Sequence, residues 1–378
     1  MPSPSQPITP AMSEPDSGQA LDGIRIVDLS GTVASAYCGK CFADYGAEVI
    51  NLEPNTGFST RQLPPFTRFG DPPLSAMHAY LSTNKHSVLK EELTETALAN
   101  LIDRADLVLT HDPNQVPAHV STLSIDWFGP GPYANHAATD ATLFAMNGML
   151  KKIGPAEGPP YVSTGYQAQF VGGATAYLPA LAHILGCEMG NETRGTRLNT
   201  SIFEAMLCFT EPAAVGFFNS GLDMDRMGIN RFPPTYPLGV FPCADGWLGV
   251  TVLTPSQWHS FCHLLDMQEW ADVPLFQSSV GRLEASDLIE PRIRDALATL
   301  SAEALFYKAQ AARVPLARVP TMSELFEIDQ FKSRSAFAHA TFDQSSIKVP
   351  SMPFRLHRTP PHFGGPVPRL GEHTEQYQ

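Results

Sequence analysis

The sequence predicts an α/β protein with a larger domain built on a doubly wound sheet and a smaller α+β domain. Stretches rich in β-branched residues alternate with amphipathic helical stretches through the first half of the chain, the pattern of parallel strands joined by helices. A Pro-rich irregular stretch follows, and beyond it a hairpin precedes further helices. With 378 residues, 43% of them hydrophobic, the chain can bury a sizeable core in two domains or in one large domain.

The first elements are a strand, a helix and a second strand. The first strand is predicted at 23–30, the helix within 34–47 and the second strand at 48–53. The loop after the first strand holds small residues, so a phosphate-bearing ligand could approach the start of the helix. The motif G-x-G-x-x-G is absent, and the loop therefore does not support a dinucleotide-binding fingerprint.

Three later segments continue the same alternation. Residues 86–112 predict a short strand, an amphipathic helix and another strand that ends near His111. An apolar helix is predicted to begin around Gly172, and residues 195–209 predict a strand followed by a helix. These segments extend the doubly wound pattern of the larger domain.

The domain boundaries follow from these elements and from changes in composition. The smaller domain begins with a hairpin that turns at Asp245 and Gly246, a pair that accommodates positive φ, and continues with helices at 256–265 and 291–312. The first twenty residues are rich in Pro and Ser, which predicts a disordered tail. The predicted order is a tail at 1–20, the large domain at 21–220, a linker at 221–237, the small domain at 238–325 and a Pro-rich C-terminal segment with one possible strand at 326–378.

The charge of the chain excludes some classes of function. The 25 Lys and Arg residues stand against 38 Asp and Glu residues, a net charge of −13, which argues against a general binder of nucleic acid or of anionic membranes. No apolar run approaches the roughly 18 residues needed to span a bilayer, and the first twenty residues lack the features of a signal peptide. We therefore expect a cytoplasmic protein.

The six cysteines are too few and too scattered for a disulfide scaffold. Cys38 and Cys41 form a C-x-x-C motif, but no second C-x-x-C or H-x-x-H follows at metal-ligand spacing. We expect these thiols to be reduced and buried, and no metal is implied.

Four blocks in chain order resemble the class III CoA-transferases, a family that includes formyl-CoA transferase, the carnitine-pathway CoA-transferase and α-methylacyl-CoA racemase. The blocks are LDGIRIVDLSGTVASAYCGKCFADYGAEVINLEP, GTRLNTSIFEAM, ADGWLGVTVLTPSQWHSFC and PVPRLGEHT. The resemblance implies a Rossmann-like large domain built from both ends of the chain, so that the C-terminal segment returns to it, and a smaller domain in the middle. It also implies an interlocked dimer whose active sites lie between the large domain of one subunit and the small domain of the other, with acyl-CoA and a carboxylic acid as substrates.

In this family an aspartate attacks the acyl-CoA thioester, and its position in this sequence is occupied by Gln169. An amide oxygen is a poor nucleophile and cannot form the mixed anhydride that the family's mechanism requires. The racemase branch would need a histidine directly before Asp140, where Thr139 stands. For Asp140 two roles stay open, a catalytic one and a structural one in which it caps the helix that follows.

The resemblance also implies residues that contact coenzyme A. Arg61, Asn84 and Lys85 match basic or polar positions of the family, and a guanidinium or ammonium group pairs well with phosphate oxygens. Val33 and Ala34 lie in the loop of small residues, where Val33 replaces a glutamine of formyl-CoA transferase-like members. The segment THDPNQV departs from the family's Asn-Phe-Arg-Pro-like loop, so the motif for CoA binding is weakened.

Three functions remain open. The chain is a transferase that exchanges CoA between carboxylic acids by a variant route, or it is an inactive subunit that pairs with a homologue carrying the aspartate. It is otherwise a non-catalytic protein that uses the same fold to bind another anionic small molecule. Homodimer and heterodimer are both compatible with the sequence.

Overall fold

The computed structural model describes residues 18–68, 70, 73–221 and 225–378, so most of the tail predicted at 1–20 lies outside the described residues. The chain forms two compact units. The first comprises 18–147, Ser163–Phe209 and Asp329–Gln378, and the second comprises Gly148–Val162 and Thr210–Ile328. The predicted mixed α/β fold class is confirmed by a large parallel sheet covered by helices. The predicted domain ranges stay a prediction.

The first unit is built on a six-stranded sheet in which every neighbouring pair of strands is parallel. Its strands are β1 (Arg25–Asp28), β2 (Glu48–Glu53), β3 (Lys85–Leu89), β4 (Leu107–Leu109), β5 (Thr122–Asp126) and β6 (Arg197–Ser201). Their order is β3-β2-β1-β4-β5-β6, the Rossmann-like arrangement in which the chain moves outward on one side of β1 and then on the other. This confirms the doubly wound prediction, although β5 was not among the predicted strands.

Helices connect these strands. They are α1 (Val33–Ala43), α2 (Ala76–Ser82), α3 (Glu95–Asp103), α4 (Asp140–Met146), α5 (Gln167–Glu188) and α6 (Ile202–Ala205). Thr32 caps the N-terminus of α1, because its hydroxyl accepts a hydrogen bond from the backbone N–H of Ser35. Helices α1 and α5 pack so closely that a Cβ on Gly173 would lie 2.5 Å from the carbonyl oxygen of Ala34. This glycine contact fixes the spacing between the starts of the two helices.

Helix α5 begins at Gln167, five residues earlier than the sequence predicts. By length and composition it is also apolar enough to cross a membrane, so the expectation that no apolar run approaches this length was wrong. The run was missed because small and polar residues interrupt it. One third of its most apolar window is buried inside the fold, and helices that pack in protein cores pass the same test.

The second unit contains a three-stranded antiparallel sheet and a group of helices. Its strands, in sheet order, are β7 (Leu238–Cys243), β8 (Gly246–Thr251) and β9 (Leu316–Arg318). The helices are α7 (Glu211–Ser220), α8 (Pro255–Leu264), α9 (Ser279–Glu284), α10 (Ser286–Ala298), α11 (Ala302–Ala311) and α12 (Met322–Leu325). The predicted hairpin is confirmed, and the single helix expected at 291–312 is two helices, because the chain turns after Ala298 and Ser301 caps the next helix.

The C-terminal part of the first unit forms a second small sheet. It contains α13 (Asp329–Ser333), β10 (Phe337–Phe342), β11 (Ser345–Pro350) and β12 (Gly365–Pro366). The sequence predicted one possible strand here, whereas β10 pairs antiparallel with β11 and parallel with β12. The last residues then dock on the edge strand β3, where His373 donates its backbone N–H to the Ser87 carbonyl.

Candidate functional site

The candidate site lies in the first unit, where helices α4 and α5 begin beside each other. Gln169 is the third residue of α5, and 9% of it is exposed. Its backbone N–H donates to Asp140 Oδ1 at 3.2 Å, and its Nε2 donates to Asp140 Oδ2 at 3.0 Å. Asp140 is 8% exposed, so the structure joins the two predicted catalytic residues in one nearly buried pair.

This pair shows which helix Asp140 caps. The sequence left open that Asp140 caps the helix that follows it, but that helix is capped by Thr139 in a capping box with Thr142. Asp140 instead accepts the third N–H of α5, whose own N-cap residue, Tyr166, makes no side-chain cap. The expectation that Asp140 caps α4 was therefore wrong. Asp140 instead caps α5, whose first N–H groups receive no side-chain cap from the N-cap residue.

Apolar and aromatic side chains surround the beginning of α5. Val33, at the start of α1, belongs to a cluster that includes Tyr166 and Phe170 on either side of Gln169. The rings of Phe170 and Tyr37 meet edge to face, with centroids 4.8 Å apart. Low-dielectric surroundings of this kind strengthen any charge interaction made by the neighbouring pair of polar residues.

Two of the residues expected to contact CoA, Val33 and Ala34, lie at the start of α1. Both are buried, and the backbone of Ala34 faces Gly173 of α5. Their small or branched side chains leave the first turn of α1 close to the first turns of α5. The structure therefore places Val33 and Ala34 near the beginning of α5, where Gln169 lies.

Arg61 is held in an ion pair. Its guanidinium donates through Nε and Nη2 to the two carboxylate oxygens of Glu53, both at 2.7 Å. The Glu53 side chain is fully buried and also accepts hydrogen bonds from the Ser87 hydroxyl and the Phe58 N–H. Burial alone would raise the pKa of Glu53, but the Arg61 cation and these hydrogen bonds outweigh it and lower the pKa.

Asn84 and Lys85 lie at the amino end of β3, not at the edge of the sheet where β1 leads into α1. The Lys85 ammonium points into the core and donates to the Ala36 carbonyl at 2.6 Å, and burial lowers its pKa to about 8. The Asn84 amide donates to Asp44 and to the backbone carbonyl of His362. Their predicted contacts with CoA stay a prediction, while their observed partners are groups of the protein itself.

One polar pair at the carboxyl edge of the sheet was missed. His111, just after β4, bonds through Nδ1 to Asp126 Oδ1 at 2.9 Å, and Asn199 donates to the other oxygen of Asp126. The hydrogen bond to Asp126 raises the pKa of His111. Polar residues at the ends of two consecutive strands were the available signal, because the ends of neighbouring parallel strands meet at one edge.

The C-x-x-C pair does not form a reactive site in this fold. Cys38 and Cys41 are free and buried, and burial raises the pKa of both thiols, that of Cys41 to about 12. Among the described residues, no three or more His, Cys, Asp or Glu side chains are grouped so that they could hold a metal ion.

The chain belongs to CoA-transferase family III, whose family model matches residues 21–374. The resemblance in the sequence is thereby confirmed over nearly the whole chain. The fold is similar to that of a solved structure, the CAIB/BAIF family protein from Brucella suis, with a TM-score of 0.82 at 22% identity, covering 95% of this chain and 98% of that one.

Two relatives carry names that describe activities. A succinyl-CoA:mesaconate CoA-transferase of Haloarcula hispanica is 25% identical, over 94% of this chain and 95% of that protein. A protein of Chloroflexus aurantiacus named succinyl-CoA–L-malate CoA-transferase alpha subunit is 24% identical, over 97% of this chain and 91% of that protein. The chain is thus similar over nearly its full length to CoA-transferases, one of which is named as a subunit.

Proposed function

We propose that this protein transfers CoA between carboxylic acids, taking it from an acyl-CoA and delivering it to a free acid. The observation that carries the proposal is the family match across residues 21–374, together with full-length relatives named as CoA-transferases. The site of exchange is the region where α1, α4 and α5 begin. Gln169 occupies the position of the family's aspartate nucleophile and binds or orients the reacting groups as an amide.

The surroundings of Gln169 support a role in positioning. Its N–H and its Nε2 are both committed to Asp140, which fixes the orientation of the amide and leaves its carbonyl oxygen directed elsewhere. The aromatic side chains beside it exclude water from a reacting thioester. Val33 and Ala34, beside this region, remain our candidates for contacts with CoA. Arg61, Asn84 and Lys85 also remain candidates, but each would have to give up its present protein partner to contact CoA.

A panel of acceptor acids tests the proposal. The purified protein is given succinyl-CoA with mesaconate, glutarate or L-malate, and separately an apolar acyl-CoA with apolar acids, and new thioesters are measured by mass spectrometry. New acyl-CoA in any pair supports the proposal. No exchange in any pair, with a known CoA-transferase as positive control, contradicts it for the protein acting alone.

A second candidate is a subunit without its own nucleophile. It is favoured by the amide at position 169 and by the relative named as an alpha subunit. A homologous partner with the aspartate would then supply catalysis within an interlocked dimer. Helix α5 has apolar side chains available for such an interface, since Leu178 is 64% exposed and Leu185 is 51% exposed.

Purification from the source cell separates the two candidates. A second homologous chain that copurifies at equal stoichiometry, and restores exchange to an inactive isolated protein, supports the subunit. A homodimer with its own turnover contradicts it. In the inactive case, Gln169→Asp tests whether a carboxylate at this position is sufficient. Gln167→Asp is the matched control, because Gln167 is exposed and lies two residues earlier in the same helix.

A further inference from the structure

Asp140 carries a carboxylate next to position 169 that could act in place of the family's nucleophile. An enzyme can exchange CoA between two acids without an external energy source if it keeps the acyl group activated throughout. A protein carboxylate keeps the acyl group activated by forming an anhydride with it. The amide of Gln169 cannot. The side chain that Gln169 contacts through two hydrogen bonds is a carboxylate, that of Asp140.

Asp140 differs from three other buried carboxylates of the same unit. Asp44 and Glu53 are fully buried, and each is neutralised by a cation, Lys40 or Arg61. Among the described residues, Asp140 has no ion pair, and it keeps 8% of its surface exposed. Asp28 has no ion pair among the described residues either, but it has no exposed surface through which a substrate could reach it. A nearly buried carboxylate without a cation at ion-pair distance is costly to bury, and its hydrogen bonds to Gln169 offset part of this cost.

The two hydrogen-bond donors that Gln169 directs at Asp140 suit a carboxylate that forms and breaks anhydride and thioester bonds. The N–H of Gln169 lies in the first turn of the 22-residue helix α5, where the positive end of the helix dipole favours negative charge. When a thiolate or carboxylate attacks the Asp140 carbonyl carbon, negative charge develops on an oxygen that already receives one of these donors. Donors fixed in advance at such an oxygen lower the barrier.

We propose that Asp140 is the nucleophilic carboxylate of this protein and that Gln169 is the residue that positions it. The inference rests on the proposed CoA-transferase function. A carboxylate oxygen of Asp140 attacks the thioester carbonyl; the new C–O bond forms, the C–S bond breaks, and CoA leaves as the thiolate with the electron pair. The thiolate then attacks the Asp140 carbonyl, which forms an aspartyl-CoA thioester and releases the first acid as a carboxylate.

The second half of the cycle reverses these bonds with the new acid. Its carboxylate attacks the aspartyl thioester, forming an anhydride and releasing the CoA thiolate. The thiolate attacks the acyl carbonyl of the new acid, and the Asp140 carboxylate is regained. No oxidant, reductant or net proton is required, so the two acids and CoA account for every atom.

The experiment traps the covalent intermediate in the wild-type protein. The protein is incubated with an acyl-CoA from the panel that supports exchange, hydroxylamine is added, and digested peptides are examined by mass spectrometry for a hydroxamate. We expect the hydroxamate on Asp140. In parallel, Asp140→Asn should lower the rate of exchange by about a thousandfold or more. Asp103→Asn is the control: Asp103 is an exposed carboxylate at the end of α3, and its replacement should not change the rate.

Each result decides the inference. A hydroxamate on another residue, or exchange by Asp140→Asn within about tenfold of wild type, overturns the role of Asp140 and leaves the proposed function standing. Absence of exchange by the wild-type protein with every acyl-CoA overturns both. The trapping experiment uses the wild-type chain, so it does not depend on whether Asp140→Asn folds. If Gln169 positions Asp140, Gln169→Ala should change the pH profile or kcat of exchange while the hydroxamate still forms on Asp140.

Discussion

Replacement of Arg61 by methionine should destabilise the fold strongly, because it would leave the Glu53 carboxylate buried without its cation. The pair is bidentate, with both Arg61 contacts at 2.7 Å, and the Glu53 side chain has no exposed surface. Two charges about 4 Å apart interact by about 4 kcal/mol at an effective dielectric constant of about 20. Loss of one partner of a buried pair costs about 3–5 kcal/mol, and we expect Arg61→Met to lower the free energy of unfolding by this amount.

The assay is urea unfolding of the protein without CoA, followed by circular dichroism. Arg104→Met is the matched control, because Arg104 is exposed and its replacement should change the free energy of unfolding by less than about 0.5 kcal/mol. The double variant Arg61→Met with Glu53→Gln should recover part of the loss, since the neutral amide can still accept the Phe58 N–H.

The dependence on pH adds a second test. Because the folded pKa of Glu53 is lowered, the stabilisation by the ion pair is present above the unfolded pKa and is lost as pH falls through the folded pKa. The difference between wild type and Arg61→Met should therefore shrink in acid. An Arg61→Met protein as stable as the Arg104 control at neutral pH would refute the structural role of the pair and return Arg61 to a role in binding CoA.

Three further outcomes are expected. His78 is fully buried, and burial holds its pKa well below the usual value. The contribution of this residue to the free energy of unfolding should therefore fall by about 1.2 kcal/mol between neutral pH and pH of about 5.5. His78→Gln should flatten this part of the profile measured by urea unfolding, and an unchanged profile would contradict a neutral buried imidazole. His373→Ala should speed hydrogen exchange at the Ser87 amide, which donates to His373 Nδ1, without affecting amides of central strands; equal rates would show that this contact does not protect the edge. Gly173→Ala should destabilise the fold by about 1–3 kcal/mol in thermal unfolding, because its Cβ would lie 2.5 Å from a backbone oxygen of α1. Gly216→Ala is the control: its Cβ would meet no atom within 4 Å, so it should be neutral or stabilising. Similar shifts for both variants would argue against the tight contact.

Local patterns in the sequence determined the elements whose periodicity is strong. Strand β2 occupies Glu48–Glu53 as predicted, because its apolar and β-branched residues lie between turn residues. The hairpin of β7 and β8 was also predicted from its Asp-Gly pair. The C-terminal strands were largely missed, because their polar residues alternate weakly and because β12 pairs with β10 across a Pro-rich stretch.

The assignment of Gln169 to the family's nucleophile position was made from order and spacing in the sequence, and it stays a prediction. The hydrogen-bond partner of Gln169 was not predicted from the sequence. Asp140 lies 29 residues earlier, and its hydrogen bonds with Gln169 exist because two helices happen to begin at the same place in the fold. The same holds for Arg61 and Lys85, whose charges match a phosphate-binding pattern but face Glu53 and the Ala36 carbonyl.

The sequence by itself therefore determined the family and the parallel α/β architecture, and it predicts an amide where the family has a nucleophilic carboxylate. Only the tertiary structure decided which carboxylate stands beside that amide and which cations are already neutralised within the protein. The physical reason is that backbone periodicity and residue order are properties of neighbouring positions along the chain. Charge pairing, capping between helices and burial depend instead on distances between atoms that packing alone brings together.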